Sequence, residues 1–194
     1  MIGSALWGFK PNLMRHIVEQ HGALRSLGWF VRNMPSYERT LQQWGPIRTH
    51  LLAVEISLHN GCPYCTYGHV YALQLHYFKT HGRLLFVTED EIVAWHSGND
   101  DDITANLQHL LSTAGLASER PLLDRVLILR QGAAPPTSVD DHKVAHLLSM
   151  FSFLNRSGVN GHAVPDQAHD PINKELGLRT EYSRLRRESG SPPS

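Results

Sequence analysis

Cysteine is nearly absent from this chain, with two residues in 194. A disulfide-stapled secreted scaffold is excluded, and a chain of this length can bury a sizeable core without one. Neither sign of charge is in excess, since 18 lysines and arginines face 18 aspartates and glutamates. No net field therefore draws the chain to nucleic acid or to a charged membrane surface. No run of residues approaches the roughly 20 apolar positions of a membrane span. Met1 to Lys10 lacks a basic stretch followed by an apolar one, so no secretory signal is expected and the cytoplasm is the expected compartment. Strand-like alternation is scarce as well. Histidine, by contrast, is abundant at 13 residues, which makes imidazole a large part of the charge that titrates near neutrality.

Helix signals organise what remains. Ser36 is placed to cap a helix ended by Gly45-Pro46, and Ile47, Leu51, Val54 and Leu58 share one helical face before Asn60-Gly61 stops it. The next helix is expected to open at Cys62, with Pro63 in the first turn, and to end near Thr80 before Gly82. Thr88 with Glu91 reads as a capping box for a short helix ending near Gly98. Ile103–Ala114 and Glu119–Arg130 are amphipathic segments, followed by glycines at 115 and 132. Ser138 with Asp141 opens a helix to about Asn155. Periodicity fades beyond Gly158, and Ser189–Ser194 reads as a disordered tail. No repeat and no linker divides the chain. The expectation is one all-α domain over 1–194, with about seven or eight helices and a core at about 36–155.

Both cysteines lie in one short motif, Cys62-Pro63-Tyr64-Cys65, followed by His69. In a chain without disulfide staples such a pair serves redox catalysis or metal binding more readily than structure. If Cys62 caps the helix, Cys65 lies one turn in on the same face, with β-carbons about 5–6 Å apart. A disulfide then needs only modest local adjustment. The unpaired N–H groups and positive dipole end of the first turn favour thiolate. His69, four residues after Cys65, shares that face and can exchange a proton with it.

Asn60-Gly61-Cys62-Pro63-Tyr64-Cys65 with His69, preceded by an apolar helix, resembles the AhpD-like, carboxymuconolactone decarboxylase superfamily, in particular its alkylhydroperoxidase branch. The resemblance is strongest from Ile47 to His76. It implies an AhpD-like helical bundle that forms homo-oligomers, often trimers or hexamers. It also implies thiol-dependent reduction of small organic hydroperoxides without a bound cofactor, driven by an external dithiol or lipoyl protein. By position, Cys65 matches the peroxidatic cysteine, Cys62 the resolving one and His69 part of the proton relay. The family also contains decarboxylases without a thiol pair, which is one alternative for this chain. Another is a non-enzymatic CxxC protein that senses redox state or binds zinc.

The branch carries a glutamate twelve residues before the first cysteine, and here that position is His50. Glu55 is the only carboxylate on this helix, but the offset of five residues turns its side chain through about 140°. Glu55 is the favoured relay partner, with His59 or His69 as the group it would meet, because a carboxylate in an apolar helix needs a partner. His50 is the alternative base.

Other constellations compete. Cys62, Cys65, His69 and His76 project from one face, with His50 or His59 as further candidates for a zinc shell. One continuous helix does not readily surround an ion, however. His142 and His146 form an HxxxH pair without the acidic residue of a metalloprotease motif and read as surface residues. His162 and His169 lie in a polar stretch with no usable spacing. Tyr64, Tyr67, Tyr71 and Tyr77 could line an apolar substrate pocket or serve packing. Arg184, Arg186 and Arg187, diluted by Glu181 and Glu188, read as a solvated helix end, with anion binding as the alternative.

Overall fold

Residues 49 to 59 of the first motif helix are buried on every side, so the one-face spacing of Ile47, Leu51, Val54 and Leu58 understates its environment. A helix without a polar face belongs at the centre of a bundle. The computed structural model describes residues 7–190 and puts this helix there. Its α-helices, in chain order, are α1 (Asn12–His21), α2 (Ala23–Trp44), α3 (Pro46–His59), α4 (Pro63–His81), α5 (Glu89–Ala94), α6 (Asp100–Ala114), α7 (Arg120–Arg130), α8 (Val139–Asn160) and α9 (Leu176–Glu188). Among the described residues there are thus nine α-helices and no strand, which is all-α with slightly more helices than the expected seven or eight. None of these helices is long and apolar enough to cross a membrane.

The pair α3–α4 forms the spine. Asn60-Gly61 turns the chain between them, and Gly61 takes φ 68°, a left-handed conformation open to glycine at little cost. Cys62 then caps α4 in an extended conformation, and Pro63 occupies its first turn. Leu51, Leu52, Val54 and Leu73 of the spine meet Leu107 and Leu110 of α6, Val126 of α7, and Leu147 and Phe151 of α8 in the main core. A second cluster joins Ala72, Leu75 and Phe78 of α4 to Ile172 and Tyr182. A third places Leu13 and Ile17 of α1 directly over Cys62, Tyr64 and Cys65.

The capping boxes at Thr88/Glu91 and Ser138/Asp141 both form, and a third at Asn99/Asp102 starts α6 three residues before the expected Ile103. Two boundaries move further. Ser36 lies inside α2, which runs through Pro35, and its carbonyl accepts from the Thr40 hydroxyl rather than opening a helix. Proline removes one helical hydrogen bond but does not end a helix that buried Ser26, Tyr37 and Thr40 hold on both sides. Similarly, α8 continues past Asn155 to Asn160, with Gly158 inside it. Helix α9 ends at Glu188, and Ser189, the first residue of the expected tail, caps it. Residues 191–194 of that tail, and residues 1–6 of the segment tested for a signal, lie outside the described residues.

The C-terminal arginines separate in this frame. Arg184 pairs at the surface with Glu181 and Glu188. Arg186 is buried, and its guanidinium donates to the Tyr182 hydroxyl, the Gln74 side chain and the Leu85 and Val87 carbonyls. It therefore clamps α9 onto α4 instead of forming a basic surface.

Candidate thiol and imidazole site

The start of α4 sets the position of both thiols. Cys62 Sγ accepts the Cys65 backbone N–H at 3.4 Å, so the cysteine itself acts as the side-chain cap. The two thiols are free, and their sulfurs do not stand at disulfide distance. Across from them, α8 comes in at Gly158, where a Cβ would lie 2.9 Å from Cys62 Sγ and 3.9 Å from Cys65 Sγ. Glycine is needed there because the helix backbone occupies the space of a side chain.

The two sulfurs are not equivalent. A hydrogen bond from the Cys65 thiol, aided by the N–H groups of Cys65 and Tyr64, holds Cys62 below the ordinary thiol range despite burial. Burial pushes Cys65 well up, and its bond to Cys62 adds to that. Of the two, Cys65 holds its proton the more tightly. Yet Cys65, not Cys62, lines the cavity next to the motif. That cavity is about 50 Å³ and apolar, walled by Leu13 and Ile17 of α1, Phe30 and Tyr37 of α2, and Phe151 of α8, with His69 and His169 at its side.

His69 is buried, and burial lowers it well below the ordinary imidazole value, with the neighbouring His50 and His169 adding to this. Its Nδ1 lies 3.1 Å from Nδ1 of His50, and His50 Nε2 lies 3.0 Å from Asp170 Oδ2. Burial lowers His50 too, against the Asp170 carboxylate that raises it. For Asp170, burial alone would raise the carboxyl. Bonds from His50, His76 and the Ile172 N–H outweigh it and hold the group well below the carboxylate range.

These contacts dictate proton positions. A carboxylate can only accept, so His50 carries its proton on Nε2. Neutral His50 then has a bare Nδ1, which must accept from His69 Nδ1–H. That leaves Nε2 as the acceptor nitrogen of His69, on a ring that lines the same cavity as Cys65. The resting tautomers therefore leave Nε2 of His69 as an unprotonated nitrogen at one end of the line and a carboxylate at the other.

His50 thus meets His69, whereas Glu55 does not. Glu55 faces away from the thiols into a small crevice shared with Leu107, Leu111 and Asp124. One of its oxygens has no hydrogen-bond partner, and burial raises its carboxyl well above the ordinary value. Neither expected partner meets it, since His69 bonds His50 and His59 bonds Asp100 at 2.9 Å. The reason is the helical offset: residues 50 and 55 of one helix point to different neighbours.

The expected zinc shell is not gathered either. Among the described residues, the ligand group brought together is His50, His76 and Asp170, without the thiols. His142 is exposed on α8, and His146 lines a surface groove with Arg39. Of the tyrosines, Tyr64 lines the cavity, Tyr77 donates to the Ala114 carbonyl, and Tyr71 lies against Tyr182.

Three site residues were missed in the polar stretch 161–171. Asp170 ends the hydrogen-bonded line that runs from His69 through His50. His169 lies against Gly68, where a Cβ would overlap its ring, and stacks with Trp7 and Phe9. Asp166 accepts from the Tyr64 hydroxyl at 2.9 Å. A signal was present: Asp170-Pro171 is a cap followed by a first-turn proline, and four imidazole and carboxylate residues crowd 162–170.

Comparison with protein-family models, curated proteins and solved structures returns no match for this chain. The AhpD-like resemblance carried by Asn60–Cys65 and His69 therefore draws no support from relatives.

Proposed function

We propose that the protein is a thiol peroxidase that reduces a small organic hydroperoxide through Cys65 and Cys62. The observation that supports this most is the hydrogen-bonded line from His69 through His50 to Asp170, with His69 and Cys65 lining the same cavity. Cys65 is the thiol that faces the cavity, so it is the attacking group although its proton is tightly held. The apolar wall suits an uncharged hydroperoxide rather than a charged one.

As Cys65 sulfur attacks the terminal peroxide oxygen, its proton passes to His69 Nε2. The O–O bond breaks, Cys65 becomes the sulfenic acid, and the same proton returns to the alkoxide to give the alcohol. While His69 is charged it can pass its Nδ1 proton to His50, whose positive charge then sits against Asp170. That ion pair lowers the cost of holding a cation in a buried place. Cys62 next displaces water from the sulfenic acid, giving the disulfide, so that both electrons the pair has lost went to the peroxide in the first step. An external dithiol or lipoyl group reduces it by exchange. The sulfurs must close on each other during this step, which requires the cap at Cys62 to rearrange.

The test is the fate of both thiols when reduced protein meets one equivalent of cumene hydroperoxide. Loss of both, with a mass decrease of two hydrogens and no such loss in Cys65→Ser, supports the reading. Thiols that stay reduced overturn it.

A further inference from the structure

His50 comes from α3, His76 from α4, and Asp170 from the turn before α9, yet their ligand atoms all lie within 4.8 Å of one another. His50 Nε2 is 3.0 Å from Oδ2 of Asp170, and His76 Nε2 is 2.9 Å from Oδ1. Two ligands at about 2.0–2.1 Å from an ion, in tetrahedral or octahedral arrangement, stand roughly 2.8–3.4 Å apart. Each nitrogen–oxygen edge falls in that range, one on each carboxylate oxygen, and the widest separation in the group, within 4.8 Å, closes on binding.

The surroundings fit as well. Metal-bound imidazoles have their second nitrogen fixed by a partner, and His50 Nδ1 is fixed by His69. The Ile172 N–H, at 2.7 Å from Oδ1, holds the carboxylate in place. His50 and Asp170 are buried, whereas the His76 side chain is 18% exposed and opens the cluster to solvent. Three protein ligands with one open side resemble the donor count of a catalytic site more than a closed structural one.

We propose that His50, His76 and Asp170 bind a divalent transition metal ion of the zinc, cobalt or iron(II) class, separately from the thiols. Two imidazoles and one carboxylate suit these ions, and the thiolates of the motif have no part in the shell. The site also bears on the thiols, in a step that rests on the peroxidase reading. An ion on His50 Nε2 takes the place of its proton, so the ring must carry hydrogen on Nδ1. His50 then donates to His69, whose proton is confined to Nε2, and His69 can no longer accept one from Cys65. The bound ion would hold the thiol site off.

Cobalt(II) is the probe, added to reduced, chelator-treated protein and followed by visible absorption and titration calorimetry. One equivalent should bind, with ligand-field bands and no sulfur-to-cobalt charge transfer, and the Cys62→Ser/Cys65→Ser double variant should bind equally. His76→Ala and Asp170→Asn should each weaken binding by about 100-fold or more. His76 is partly exposed, so its truncation leaves the core closed, and circular dichroism checks this. No binding, binding lost with the cysteines, or binding indifferent to both His76→Ala and Asp170→Asn would overturn the site, the last leaving a hydrogen-bonded triad only. Thiol oxidation by cumene hydroperoxide should slow at least tenfold with one equivalent of cobalt in the wild type but not in His76→Ala, and equal rates overturn the coupling. Thiols that never react with peroxide overturn the peroxidase reading instead, and the cobalt titration decides the metal site without it.

Discussion

Gly68→Ala tests how the polar segment is locked onto the motif helix. Gly68 lies within α4, and on helix propensity alone alanine should stabilise the chain by about 1 kcal/mol. The structure opposes this. A Cβ at Gly68 would overlap three atoms of the His169 ring, so the imidazole must retreat by about 1 Å. Overpacking of that kind costs roughly 1–3 kcal/mol. It also strains the bond from the His169 N–H to the Gly68 carbonyl, 3.0 Å long and worth about 1 kcal/mol. The steric effect wins, leaving a net destabilisation of about 1–3 kcal/mol. For a chain of this length the melting temperature should fall by roughly 2–12 °C. Thermal unfolding followed by circular dichroism measures it, and a double-mutant cycle with His169→Ala locates the cause. Without the ring, propensity alone remains, and Gly68→Ala should then raise the melting temperature by roughly 2–4 °C. A rise, or no change, with His169 still present would falsify the reasoning.

Glu55→Gln should stabilise the protein at neutral and alkaline pH. Above about pH 4.5 the unfolded chain ionises this carboxyl freely, while burial keeps the folded one protonated, so stability drains away as pH rises towards the raised folded value. The gain in melting temperature should be larger at pH 8 than at pH 5, and a loss at pH 8 would give Glu55 a partner it lacks here. Ultraviolet thiolate absorbance of reduced protein should rise in two steps, one below and one above the ordinary thiol range, and Cys62→Ser should remove the lower step. A single step in the ordinary range contradicts the inequality of the two thiols. Gly158→Ala should disturb both steps, since its Cβ would press on Cys62 Sγ at 2.9 Å; an unaltered profile would separate α8 from the thiols.

The sequence alone determined the local features. Cap, proline and glycine chemistry act within one turn, so the opening of α4 at Cys62-Pro63, its end at Gly82 and the boxes at Thr88 and Ser138 were legible before any fold. The same locality made Cys62, Cys65 and His69 a visible group, because residues three or four apart on one helix are neighbours in any fold. Only the tertiary structure decided what lies opposite that face. Phase arithmetic said that His50 and Glu55 diverge but not which one meets His69, and the answer depends on how α3 rotates against α4. Asp170, 120 residues from His50, enters through a loop that shows no periodicity, so no local signal could pair the two. Gly158, where the periodicity fades, lies inside α8 as a close contact, since a missing side chain marks a turn or a close approach equally well until the partner is known.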